Sequence, residues 1–217
     1  MKNLLNKELK LATPLLTWLF LAFSLMTLIP GYPILCGAFF VCFGIFQAFQ
    51  YGREANDILY TVLLPIGKKE AVRAKYLVSC FFELVAFLIM AVLTCVRMTA
   101  LREVAPYANN ALMAANPLFL AFVLLIFASF NFIFLGGFFK TGYGIGKPFV
   151  LFIIAAFLLI VIGEILHHLP GLSFLNASAG KGLVPQLLIL LAGAGLYAGL
   201  TGLSYVRSGE TFEKLDL

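Results

Sequence analysis

From Pro117 to Phe139, and again from Pro148 to Gly163, the chain contains no charged residue. Inside a bilayer the backbone N–H and C=O groups must bond within their own segment or a closed barrel, so apolar runs this long are read as helices. At ~1.5 Å per residue, each run approaches or exceeds the ~30 Å hydrocarbon core. Comparable runs over 11–29, 34–49, 76–96 and 183–205 join 117–139 and 148–165 to make six expected spans. The expected fold is an all-α polytopic membrane protein forming one transmembrane domain over 1–217. Composition agrees, at 62% hydrophobic and 12% charged residues, where a soluble domain is about half apolar and a quarter charged.

The residues between the runs predict orientation. Lys2, Lys7 and Lys10, interleaved with Leu4, Leu5 and Leu9, predict an interfacial helix over 1–10. The run that follows exceeds a signal peptide's core of about 7–15 residues and lacks a small-residue cleavage site, so it reads as a retained span that tolerates Pro14. If the N-terminus is cytoplasmic, only Arg97, Arg102 and Lys181 of the 15 Lys and Arg fall on the opposite side. The positive-inside rule then predicts two cytoplasmic termini. The net charge of +5 is therefore a topology signal; no basic stripe suited to nucleic acid is present.

Several chemistries can be tested on the residues. Cys36, Cys42, Cys80 and Cys95 lie in apolar runs without a C-x-x-C pair and read as packing residues. Glu164, His167 and His168 offer no third ligand at matching depth, so they read as caps of a helix end rather than a metal or catalytic centre. Ser173 has no downstream His. The loop from Thr141 to Pro148 overlays a P-loop, but Thr141 replaces its first Gly and Pro148 its hydroxyl. No catalytic, cofactor-binding or metal-binding residue is expected in this chain.

Within the spans, Glu83 and Asn131 are the notable polar residues. Glu83 could line a substrate path or sit as an interfacial carboxyl; Asn131 could join it or bind two helices together. The motif Gly195-x-x-x-Gly199 reads as close helix packing in the bundle, with a dimer contact as the alternative.

The longest loop on the expected cytoplasmic side is amphipathic. Over Glu54–Leu64, Ala55, Ile58, Leu59, Val62 and Leu63 form one predicted helical stripe, with Asn56, Asp57, Tyr60 and Thr61 opposite. Pro65 and Gly67 end that helix before a basic one beginning near Lys68. Lipid or a groove on a partner would satisfy the stripe.

This loop resembles the first cytoplasmic loop of type-2 ATP-binding-cassette exporter permeases. Asp57, Leu63, Leu64, Pro65, Ile66, Lys68, Lys69, Val72, Lys75 and Tyr76 carry the resemblance, while Gly67 stands where Ser is common. Similar small members export amphipathic peptides such as phenol-soluble modulins, lantibiotics and bacitracin. The resemblance implies a bacterial plasma-membrane permease paired with a second copy of itself or a related permease. It also implies a separate ATPase subunit that binds ATP and Mg. The Glu54–Leu64 helix would then dock on that ATPase, through Glu54, Asp57, Ile58, Leu59, Val62, Leu63 and Pro65. An amphipathic peptide or small hydrophobic molecule would be the cargo. The rival reading is a membrane-embedded enzyme or a solitary carrier, although carriers usually need several buried charges and repeated halves.

Overall fold

A computed structural model describes residues 2–63, 65–108 and 110–215, excluding the side chains of Lys2, Val62 and Lys181. Among these residues all regular structure is helical. The main elements are α1 (Lys2–Lys7), α2 (Leu15–Phe20), α3 (Cys36–Glu54), α4 (Asp57–Leu63), α5 (Lys68–Thr99), α6 (Ala105–Ala108), α7 (Pro117–Ser129), α8 (Gly136–Phe138), α9 (Gly146–Leu166) and α10 (Leu183–Glu213). A π-helical turn, Glu8–Ala12, extends α1, and a 3₁₀ stretch, Leu21–Leu28, extends α2.

The described residues include four helices long and apolar enough to cross a membrane, or five if the α1–α2 region counts as one bent span. That region differs from the expectation. The helical path turns by 86° between Ala12 and Leu15, so Pro14 is not absorbed into a continuous span. Proline lacks an N–H and drives the preceding residue out of the helical region; Thr13 is accordingly extended at φ −107°, ψ 106°. The first helical arm thus runs on to Ala12, and the second, apolar arm begins at Leu15. Six residues at ~1.5 Å and eight at ~2.0 Å give that part ~25 Å of reach, because 3₁₀ winding lengthens each step. α3 keeps Gln47, Gln50 and Arg53 in its last turns and falls below the four in apolar content.

α7 is the central helix, buried along most of its length. Asn116 caps it, accepting from the Phe119 N–H at 3.0 Å, and Pro117 occupies its first turn, where the missing donor costs nothing. Phenylalanines from α3, α7, α8 and α9 fill the interior. Phe46 stacks on Phe149 at 3.7 Å, and Phe134 meets Phe46, Phe49 and Phe130 within 5.5 Å. Such pairs contribute about 0.5–1.5 kcal/mol each beyond area burial.

At the other end of the bundle, Arg97 is not a loop residue as expected. It lies inside α5, is buried, donates to the Thr27 carbonyl at 2.8 Å and sits 5.0 Å from the Tyr107 ring. There too Glu164 accepts from the Met113 N–H at 2.9 Å and His167 lies 3.2 Å from the Ala111 carbonyl, so both secure the loop before α7. The expected bundle packing of Gly195-x-x-x-Gly199 is also corrected. Positions 195, 199 and 202 face open space, and it is Gly193 that lets α10 approach Ala121 of α7.

Candidate functional site: two buried polar junctions

The segment expected over Glu54–Leu64 is shorter and turned differently. α3 continues through Glu54, and Asn56 adopts a left-handed φ of 52° that stops it. α4 begins at Asp57, so Glu54 belongs to the preceding helix and Ala55 to the turn that caps it; Leu64 and the Val62 side chain lie outside the described residues. Glu54 is exposed and accepts from Gln50 at 3.4 Å, and Pro65 is exposed beyond the helix.

On α4 only part of the supposed polar side, Asp57 and Thr61, faces the bundle. Asp57 and Thr61 point inward beside Ile58, which is buried, while Leu59, Tyr60 and Leu63 point outward, Leu63 being 84% exposed. The single apolar stripe of the sequence reading is thus divided between two faces. The division follows from charge. Lys75 Nζ on α5 lies 2.9 Å from Asp57 Oδ2 and 2.7 Å from Glu8 Oε2. Lys7 on α1 pairs with Asp57, donates to Thr61, and lies 3.1 Å from Glu8 Oε1. Lys75 also sits 5.6 Å from the Phe49 ring.

Two carboxylates and two ammoniums therefore alternate where α1, α4 and α5 meet. Each buried charge has opposite partners, the condition that makes burial tolerable. Burial pushes the Asp57 carboxyl up, but Lys75 and Lys7 together outweigh it and hold it below its ordinary value. A cavity of about 310 Å³ lies beneath α4, between Ile58, Leu59, Phe138 and Tyr143.

Sequence reasoning missed Glu8 and Lys7 here. The available signal was a lone carboxylate inside the basic helix Lys2–Lys10, one that lies outside the pattern of a purely lipid-bound surface helix.

The second junction lies deeper. Glu83 on α5 and Asn131, in a π-helical turn over Phe130–Leu135, are both fully buried and bonded to each other. Asn131 Nδ2 donates to Glu83 Oε2 at 2.9 Å and to Thr201 Oγ1 at 3.1 Å; the Tyr197 hydroxyl donates to the same Glu83 oxygen at 2.7 Å. The Asn131 carbonyl accepts from Gly136 N and, at 2.7 Å, from Ser204 Oγ.

Tyr76 lies within 2.7 Å of Ser204 Oγ and 2.9 Å of Ser208 Oγ. Since a hydroxyl has one proton and Ser204 gives its own to Asn131, Tyr76 donates to Ser204 and accepts from Ser208. A continuous polar path therefore runs Ser208–Tyr76–Ser204–Asn131–Glu83–Tyr197 across α5, the π-turn and α10. Glu83 Oε1 and Asn131 Oδ1 have no hydrogen-bond partner among the described residues. Neither residue lines a cavity described here; in the single chain they join helices.

The two junctions share α5, on which Lys75 and Glu83 stand about two turns apart. Farther toward its start, Lys68 donates to the Leu215 carbonyl and Lys69 pairs with Glu213 at 2.8 Å, so the end of α10 is tied to the same helix.

Compared with known families, residues 3–213 match the model described as ABC-2 family transporter protein. Neither the curated proteins nor the solved structures gave a match.

Proposed function

The chain belongs to the ABC-2 transporter family, and on that premise we propose that it is the permease of an ATP-driven exporter in a bacterial plasma membrane. The family is a membrane transport component that works with an ABC ATPase in general. Here the ATPase is a separate subunit that binds ATP and Mg and docks on α4. Both termini lie on that cytoplasmic side, where most Lys and Arg gather. The cargo is an amphipathic peptide or a comparable hydrophobic molecule.

One observation carries the docking assignment. α4 turns Leu59, Tyr60 and Leu63 outward while Asp57 and Thr61 are anchored inward by Lys75 and Lys7. An apolar face held by charges from behind is suited to a groove on a partner, where large apolar residues carry most of the affinity. A push on that face reaches α5 in two ways: along the chain through Pro65–Gly67, and through space at Lys75. α5 then carries it to Glu83 and Asn131, which either border the cargo path formed with a second copy or set the helix crossing that opens it. The open glycine positions 195, 199 and 202 of α10 support that second copy, since small residues allow close helix approach in lipid.

Leu59→Asp with Leu63→Asp tests the assignment. The variant should insert into membranes in wild-type amount and lose co-purification of the ATPase subunit. Undiminished co-purification would sink the role of α4.

A further inference from the structure

A second polar feature stands apart from the proposed docking face. Where the end of α8, the start of α9 and the last turns of α10 diverge, they enclose a cleft of about 580 Å³. Its mouth carries three cations from three elements: Lys140 after α8, Lys147 in the first turn of α9, and Arg207 on α10. All three are exposed, and among the described residues none forms a salt bridge. No carboxylate lines the cleft. Of the two nearest on α10, Glu213 pairs with Lys69, and the field of Glu210 also acts on Lys69.

The walls are of the opposite character. Phe132 and Leu151 are substantially exposed, and the surface continues along α9 through Val150 and Ile154. These residues belong to helices apolar enough to span a bilayer. The cleft thus passes from a cationic rim into a hydrocarbon-facing groove. Its width depends on Gly137, where a Cβ would come within 2.7 Å of Pro148.

We propose that this cleft is a binding site for an anionic phospholipid, with the phosphate held among Lys140, Lys147 and Arg207 and one acyl chain laid against Phe132 and Leu151. Basic pockets between membrane helices select anionic headgroups because each Lys or Arg near the surface adds to the attraction. Arginine adds bidentate geometry for phosphate oxygens. A soluble phosphate would satisfy the rim alone; the apolar wall argues for the lipid. Two hydroxyls that line the cleft, Ser204 and Ser208, are both bonded to Tyr76, so the site borders the polar path that reaches Glu83.

Native mass spectrometry of the purified full chain in detergent, titrated with phosphatidylglycerol or phosphatidylcholine, tests this. Wild type should retain one phosphatidylglycerol per chain and discriminate against phosphatidylcholine. Lys140→Gln with Lys147→Gln and Arg207→Gln should lower phosphatidylglycerol retention at least about tenfold. The single variant Arg207→Gln, should the triple one fail to fold, should lower it about threefold to tenfold. Leu151→Trp, which fills the apolar wall and keeps every charge, should also weaken retention. Millimolar inorganic phosphate should not displace the lipid; displacement, with Leu151→Trp silent, would assign the rim to a soluble phosphate and overturn the lipid. Equal retention by wild type and the charge variants would also overturn it. So would a charge variant that loses self-association while keeping its lipid, since a second copy would then occupy the cleft.

Discussion

The cluster around Lys75 and the junction around Glu83 are both buried and both built on α5, but they are held by different forces. At Lys75 two ammoniums face two carboxylates, and Coulombic attraction positions three elements distant in sequence. At Glu83 no cation lies among the hydrogen-bond partners. A carboxyl, an amide and the hydroxyls of Tyr76, Tyr197, Thr201, Ser204 and Ser208 hold α5, the π-turn and α10 together by directional bonds alone. Ion pairs of the first kind resist removal of any single member, because a buried charge is left uncompensated. In networks of the second kind each lost bond leaves a buried polar group unsatisfied, at about 1–3 kcal/mol, less than an uncompensated buried charge costs. The first junction is thus held by charge and the second by directional hydrogen bonds.

Substitutions can break this contrast. Lys75→Met should have the largest effect, about 3–5 kcal/mol, because it leaves Glu8 and Asp57 facing each other with Lys7 alone. Thermal unfolding in detergent should show it, and adding Asp57→Asn in the same chain, which leaves the Lys7–Glu8 pair balanced, should recover part of the loss. Asn131→Leu removes a donor to Glu83 and should cost about 1–3 kcal/mol; a loss as large as that of Lys75→Met would erase the distinction.

Acid should act on the first junction in a defined window. The folded Asp57 carboxyl titrates below its ordinary value, so its contribution is fully present above about pH 4 and is lost as pH falls through the lower, folded value. The stability gap between wild type and Asp57→Asn should therefore hold from neutral pH to about 4 and shrink below it. A gap that shrinks well above pH 4 would mean that Asp57 is not held by its cations. The smallest effect belongs to Lys69→Ala. Its pair with Glu213 is exposed on both sides, and exposed pairs contribute little, so unfolding temperature should not move measurably.

Much of this was legible in the sequence, unevenly. The charge-free runs beginning at Pro117 and Pro148 are helices close to where their apolar length predicts them, and α5 and α10 extend the runs at 76–96 and 183–205. At Thr13–Pro14 a local rule, the proline bend, overrode the average hydropathy that suggested one span. α4 failed for a different reason. A helix of seven residues has too few turns for its own pattern to fix its rotation, and its partners Lys75 and Lys7 lie on other helices, outside its local pattern. Asp57, Lys75 and Tyr76 were visible as residues of the resemblance. That Asp57 and Lys75 pair, and that Tyr76 begins the path to Glu83, depends on helix packing that no local pattern encodes. The π-turn at Asn131 was equally hidden: its carbonyl, besides accepting from Gly136 N, accepts from Ser204 on a helix distant in sequence.

We propose that the outward face of α4 meets the ATPase. A photo-crosslinking amino acid at position 63 or 59, compared with one at the exposed Leu169 in the turn after α9, tests it most directly. On irradiation of the assembled transporter, positions 63 and 59 should each give a covalent adduct with the ATP-binding subunit, identified by mass spectrometry, and position 169 none. Adducts from Leu169 alone, or none from 59 and 63 in a complex that still hydrolyses ATP, would contradict the account.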